Sequence, residues 1–248
     1  MWGLGFGIFT LCPLSFVLAP LPFVLAPLSF VLAPLPFALF LMLSAIVPVK
    51  PFLQSKQRLA GVLSPQERAR LSRDLLSHTL RVLTNAPEVT QTFVVSRDPA
   101  ALTLAKEYQA QTIIEAGSGG LNAALTQTTE VAQASGAETI LILLADLPFL
   151  SPEAIQALVR ESKTQPIIVI APDRHEDGTN ALCVHPPHLI TYAFGERSFQ
   201  RHIAQAEHIG VPVRICRLPE LALDVDTPED LERLPSFFSA VSRPPRPK

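Results

Sequence analysis

The chain has 248 residues and 27.0 kDa, with 48% hydrophobic residues, 17% charged residues and a formal net charge of -2. That is enough chain to close one large α/β core, and the near-neutral balance leaves out the basic footprint that a nucleic-acid partner requires. Cys12, Cys183 and Cys216 form no CxxC pair and no cluster with histidine, which argues against a disulfide framework or structural zinc and for a reducing, cytoplasmic setting.

Residues 1–49 contain no Asp, Glu, Lys or Arg. From Pro13 the chain reads PLSFVLA, PLPFVLA, PLSFVLA, PLPFALF, a repeat whose apolar length would suit a membrane segment. Prolines at 13, 20, 22, 27, 34 and 36 would break a helix there. Neither a cationic flank nor an A-x-A-like cleavage pattern marks a signal peptide. A coding explanation fits better. The heptanucleotide CCTTTGT, read repeatedly in frame, gives Pro-Leu-Ser-Phe-Val-Leu-Cys, and Leu11 to Leu18 follows that translation without error. The expectation for 1–41 is a translated DNA repeat that is disordered or foreign to the native protein, with a native start at Met42. A membrane anchor and a signal peptide are the competing readings.

From Leu43 onward, apolar runs alternate with helical patterns, as a largely parallel sheet covered by helices requires. LSAIVPV (43–49) reads as a buried strand. Ser64-Pro65-Gln66-Glu67 supplies an N-cap, a proline at the first helical position and a capping-box glutamate for a helix to about Leu83. TFVVS (92–96) is a second strand, Asp98-Pro99 opens a second helix, and TIIEA (112–116) is a third strand. GSGGLNAAL (117–125) is a glycine-rich turn entering a helix. TILILLADLP (139–148) is the most strand-like segment, and Ser151-Pro152-Glu153 caps the helix after it. PIIVIAP (166–172) is a strand, DRHEDGTN a polar loop, ALCV a strand, and SFQRHIAQAEHIG a helix ending at Gly210. PVRICRL and LALDV read as the last strands, TPEDLERL as a short capped helix, and SRPPRPK as a frayed tail.

In such sheets ligands bind beyond the carboxyl ends of the strands. Asp146 ends the run ILILLAD, where a carboxylate costs burial energy unless a ligand or helix N-terminus stabilises it; otherwise it caps the turn before Pro148. Asp224 and Asp226 in LDVDTP stand at i and i+2, on one side of an extended chain, and can share a hard cation. Asp226 equally suits a helix N-cap. Lys50, Lys56 and Arg58 follow the first strand, where they can neutralise a triphosphate or form a solvated loop. No GxxxxGK[ST] pattern is present, so this is not a P-loop. Glu115 to Asn122 joins backbone amides to a carboxylate and an amide able to read a base edge, or is a structural glycine turn. His202 and His208 lie on an amphipathic helix and read as surface or half-buried residues; His175 reads as solvated.

Six motifs occur in order: VPVKPFLQSKQRLAGVLSPQER, GLNAAL, LLADLPFLSP, DGTNAL, FGERSFQRH and LDVDTPEDL. Through them the chain resembles the phosphoenolpyruvate or 2-phospho-L-lactate guanylyltransferases of deazaflavin coenzyme F(420) biosynthesis, similar in turn to the molybdenum-cofactor guanylyltransferase-like fold. The resemblance covers Leu43 to Leu234. It implies a single Rossmann-like, nucleotide-diphospho-sugar transferase-like α/β domain over 42–236, with 237–248 a flexible tail. It further implies that Asp146, Asp224 and Asp226 hold Mg²⁺ and that Thr179, Gly195 and Ser198 contact a phosphorylated acid. Lys50, Lys56, Arg58, Glu115, Gly120 and Asn122 would hold GTP, with Lys50, Lys56, Arg58 and Asp146 carrying catalysis. The expected partners are GTP and a small phosphorylated acid, with a homodimer allowed and neither nucleic acid nor a membrane expected. The competing functions are transfer to another acceptor (phosphoglycerate, a sugar phosphate or a pterin) and membrane-associated nucleotide binding.

Overall fold

A computed structural model of the chain describes residues 42–115, 119–162, 166–234 and 238; the apolar repeat, the first half of the glycine turn and the C-terminal tail lie outside them. Each α/β unit is laid out by caps and apolar runs. Strand β1 (Leu43–Val49) is followed by α1 (Pro65–Thr84), β2 (Val89–Ser96), α2 (Pro99–Glu107) and β3 (Gln111–Ile114). Then come α3 (Gly120–Ala134), β4 (Thr139–Leu143), α4 (Pro152–Arg160), β5 (Ile167–Pro172) and β6 (Thr179–His185). The chain closes with α5 (Ser198–His208), β7 (Val213–Ile215), α6 (Pro219–Ala222) and α7 (Pro228–Leu231).

Helix α1 starts where its sequence dictates. The Ser64 hydroxyl accepts from the Glu67 N–H, and Glu67 Oε2 accepts from the Ser64 N–H at 2.8 Å, closing the capping box. The Asp98 carboxylate caps α2 by accepting from the Ala100 N–H, and the Ser151 hydroxyl caps α4 by accepting from the Ala154 N–H.

The strands form one sheet in the order β3-β2-β1-β4-β6-β5-β7. All neighbours run parallel except β6, which is antiparallel to both β4 and β5. Strands β4 and β5 are buried along their whole length, which is why they read as unbroken apolar runs: helices cover both faces. Ala45 and Val47 join Leu141, Leu143 and Val169 on the face under α1, α2 and α4. Ile46 joins Phe93, Ile142 and Ile170 on the face under α3 and α5. The two edge strands β3 and β7 are short and partly exposed, which limits edge-to-edge pairing.

The chain runs from β1 outward to β3 and then crosses back to place β4 on the other side of β1. The connections leaving β1 and β4 therefore diverge and open a crevice at the carboxyl end of the sheet. Because β6 is reversed and pairs Thr179 with Pro172, its first residue faces the same end.

One strand expectation fails. LALDV is not a strand: Leu221 and Ala222 finish the short helix α6, and the segment after it pairs with no strand among the described residues. Its carbonyls are taken instead by a β6 side chain and by a loop, with the Asn180 amide donating to the Leu221 carbonyl and the Arg174 N–H to that of Ala222. Strand β4 also stops at Leu143, before Asp146. Among the described residues no helix is long and apolar enough to cross a membrane.

Candidate active site

The loop after β1 makes two 3₁₀ turns, Phe52–Gln54 and Gln57–Leu59, and sinks Phe52 and Leu59 into the protein. Between these anchors Lys56 adopts a left-handed backbone (φ 52), uncommon for a residue with a side chain. Leu59 and Leu63 pack in one apolar cluster with Leu71, Leu75, Val225 and Leu231. Val225 is fully buried in that cluster, so in extended chain its neighbours Asp224 and Asp226 turn the other way. The Val225 N–H also donates to the Asp146 carbonyl at 3.2 Å, tying this segment to the turn after β4.

The three aspartates therefore meet: carboxylate oxygens of Asp146, Asp224 and Asp226 lie within 4.8 Å of one another. The Lys56 Nζ donates to Asp146 Oδ2 at 2.6 Å and to Asp226 Oδ1 at 3.1 Å. Arg58, mostly exposed, reaches the other Asp226 oxygen at 3.3 Å from the rim. Burial alone would lower the Lys56 pKa, but the charges and hydrogen bonds of Asp146 and Asp226 outweigh it and hold the ammonium. Asp224 is pushed up to about 6, first by burial and then by the neighbouring Asp146 and Asp226 carboxylates. Among the described residues, Asp146 Oδ1 is buried without a hydrogen-bond partner. An all-oxygen cluster with excess negative charge and an orphaned buried acceptor fits a hard divalent cation. Asp226 does not cap the next helix; Thr227 does, with Asp230 closing its capping box.

These groups form the floor of a cleft of about 600 Å³. Lys50 lines the cleft, and no hydrogen bond or ion pair engages its side chain among the described residues. Glu115 and Gly120 also line the cleft. Gly120 has φ +70 and opens α3, a geometry glycine takes without cost. The Glu115 carboxylate accepts from Arg97 at 2.8 Å. Thr179 at the start of β6 and Gly195 and Ser198 at the entry to α5 line the cleft too. Gly195 has φ +119, which restricts the position to glycine.

Two expected residues stand apart. Arg58 does not line the cleft. The Asn122 amide is spent on the backbone of Phe194, accepting from its N–H at 2.8 Å and donating to its carbonyl at 3.2 Å, so it braces the Gly195 loop. His202 corrects the expectation of a surface or half-buried residue: it is fully buried, bonded to Thr179 and Ala193. Its place four residues after Ser198 and three after Phe199, on the apolar stripe of α5, was the available signal. Arg97 and Asn180 also line the cleft and went unnoticed. Arg97 directly follows β2, where the strand-end rule applied to β2 would have found it.

The family description "Guanylyl transferase CofC like" matches residues 43–236. The chain belongs to this family. Two similar proteins are phosphoenolpyruvate guanylyltransferases. That of Sphaerobacter thermophilus is 44% identical over 190 residues, 77% of this chain and 91% of that protein. That of Rubrobacter xylanophilus is 40% identical over 202 residues, 82% and 98% of the two chains. A solved nucleotidyl transferase from Methanothermobacter thermautotrophicus superposes with a TM-score of 0.59 at 16% identity, covering 80% of this chain and 98% of that one, and shares the fold. The CofC-like chain is thus a nucleotidyltransferase with a single α/β domain, and its cleft lies at the crevice where this sheet reverses direction.

Proposed function

We propose that the cleft transfers GMP from GTP to phosphoenolpyruvate, or to 2-phospho-L-lactate, and releases pyrophosphate, as a step of coenzyme F(420) biosynthesis in the cytoplasm. The observation that carries this reading is one cleft that holds Asp146 and Asp226, bridged by Lys56, and the adjacent Asp224 together with Thr179, Gly195 and Ser198. The names of the relatives support the acceptor. The catalytic unit is the domain of residues 42–236.

On this reading the acid's phosphate oxygen attacks the α-phosphorus of GTP in line, and pyrophosphate leaves. The nucleophile is already ionised at neutral pH, so the site must position and neutralise rather than deprotonate. Lys50 and Lys56 meet the triphosphate from the loop after β1, with Arg58 at the rim. Gly120 lets the backbone approach the nucleotide, and Glu115 stands beside it. Thr179, Gly195 and Ser198 hold the acid against the α-phosphate. Mg²⁺ held by Asp146, Asp224 and Asp226 would supply charge neutralisation and orientation of the phosphates.

The test offers the protein GTP, Mg²⁺ and each acid in turn and measures pyrophosphate. Release with phosphoenolpyruvate is expected, and release with 2-phospho-L-lactate alone would reassign the acceptor. No release with either acid would overturn the proposal.

A further inference from the structure

We propose that His202 is a positioning residue for the acceptor pocket: a single tautomer of its imidazole leaves the Thr179 hydroxyl free to donate into the cleft and pins the loop that carries Gly195. The inference rests on reading this cleft as the site of transfer to an anionic acid, and it assigns a residue outside the cleft to acceptor binding.

The imidazole lies on α5, fully buried, with both ring nitrogens engaged. Its Nε2 is 3.0 Å from the backbone nitrogen of Ala193. A peptide N–H can only donate, so Nε2 must carry a lone pair. The proton of the neutral ring is then on Nδ1, which lies 3.1 Å from Thr179 Oγ1 and donates to it. A hydroxyl that accepts this bond still has its own proton to place. Among the described residues no second partner for the Thr179 hydroxyl exists, and Thr179 lines the cleft while only 2% exposed. A buried donor without an acceptor is costly, and an anionic oxygen in the cleft meets that need. Burial, followed by the nearby Arg201 charge, lowers the His202 pKa to about 4, which keeps the ring in the neutral form that this pattern requires.

The second bond acts on the loop. Ala193 is held by His202, and Phe194 is held at both peptide groups by Asn122. The Phe194 ring also meets the imidazole edge-on, with centroids 5.1 Å apart. Two consecutive residues are thereby fixed immediately before Gly195, which lines the acceptor side of the cleft.

Asparagine and glutamine separate the two bonds. In His202→Asn the amide nitrogen takes the place of Nδ1 and can still donate to Thr179. In His202→Gln the amide oxygen takes the place of Nε2 and can accept from Ala193, but Thr179 loses its donor. With GTP saturating, the KM for the acid should rise about tenfold in His202→Gln and stay within about threefold of the parent in His202→Asn. The KM for GTP should be unchanged in both. An unchanged acid KM in His202→Gln, or an equal rise for GTP and acid in either variant, would each overturn the proposal. An activity-independent readout is the long-range ¹⁵N–¹H spectrum of the parent protein at pH 7. It should show Nδ1 protonated and Nε2 bare; the opposite tautomer rejects the inference even where the glutamine variant does not fold. A parent protein that releases no pyrophosphate with any acid defeats the functional reading instead, and the spectrum still decides the tautomer.

Discussion

Lys56 reaches Asp146 and Asp226 at once from a left-handed backbone, a conformation that costs on the order of 1 kcal/mol and persists because Phe52 and Leu59 anchor the loop on either side. Its ammonium stands where a cation would partly neutralise the three carboxylates. Removing one partner of a fully buried pair costs roughly 3–5 kcal/mol; here Asp146 and Asp226 are in part open to solvent, so Lys56→Met should cost about 2 kcal/mol. Urea unfolding in EDTA measures this loss. Millimolar Mg²⁺ should recover more stability in the variant than it adds to the parent, and equal Mg²⁺ effects in both would mean that Lys56 and the ion do not compete for the same charge. Asp146→Asn keeps the shape and removes the charge, and pyrophosphate release should fall by about a hundredfold or more, since both the bond to Lys56 and the cation site are weakened. His202 adds a pH dependence. Its pKa is about 4 when folded against an ordinary 6.5, so below 6.5 the unfolded chain binds the proton more readily. The stability contributed by neutral His202 is complete above pH 6.5, declines as pH falls toward 4, and amounts to at most about 3 kcal/mol. His202→Gln should flatten the stability profile in that window, and a profile of unchanged slope would contradict the assignment.

Local signals fix the elements that local chemistry decides. The capping box of α1 was legible because Ser64 and Glu67 serve each other across three residues. Ser64→Ala should cost about 1 kcal/mol without changing turnover, as the cap points to solvent away from the cleft. Leu59→Ala tests a different link. Leu59 is fully buried against Val225 and Leu231, so its truncation should cost roughly 2–5 kcal/mol. It should also lower turnover at temperatures where the variant is fully folded, because that cluster joins the Lys56 loop to the Asp224–Asp226 segment. Full activity in folded Leu59→Ala would show that the loop holds its place without the cluster. The LALDV segment was illegible for the same reason. Its alternation is that of a strand, yet Val225 goes into a satellite core and its peptide groups bond to Asn180 and Arg174, partners that sequence spacing does not reveal. Asn122 likewise read as a ligand group because its Phe194 partner is 72 residues away.

At the scale of the molecule, the α/β alternation gave the fold class and the strand-end rule gave the aspartates, because both follow from periodicity and from the direction in which strands run. The strand order did not follow. Nothing local states that β4 lies beside β1 or that β6 is reversed, and it is this order that brings Lys56, Asp146 and Asp226 together across 170 residues of chain. All seven strands among the described residues lie between Leu43 and Ile215, and the family match begins at residue 43. The cleft residues run from Pro48 to Asp226, and β1 is paired on both sides from its first residue, Leu43, with Val89 and Thr139. A chain beginning at Met42 therefore contains every described group that builds the sheet and the cleft. It should unfold at the same urea concentration as the full chain and release pyrophosphate at the same rate per molecule. A loss of turnover at unchanged stability would assign residues 1–41 a part in the reaction, and a loss of stability would assign them a part in the fold. Either result would refute their reading as a translated repeat, as would N-terminal mass spectrometry of the native protein that finds residues 13–40 retained.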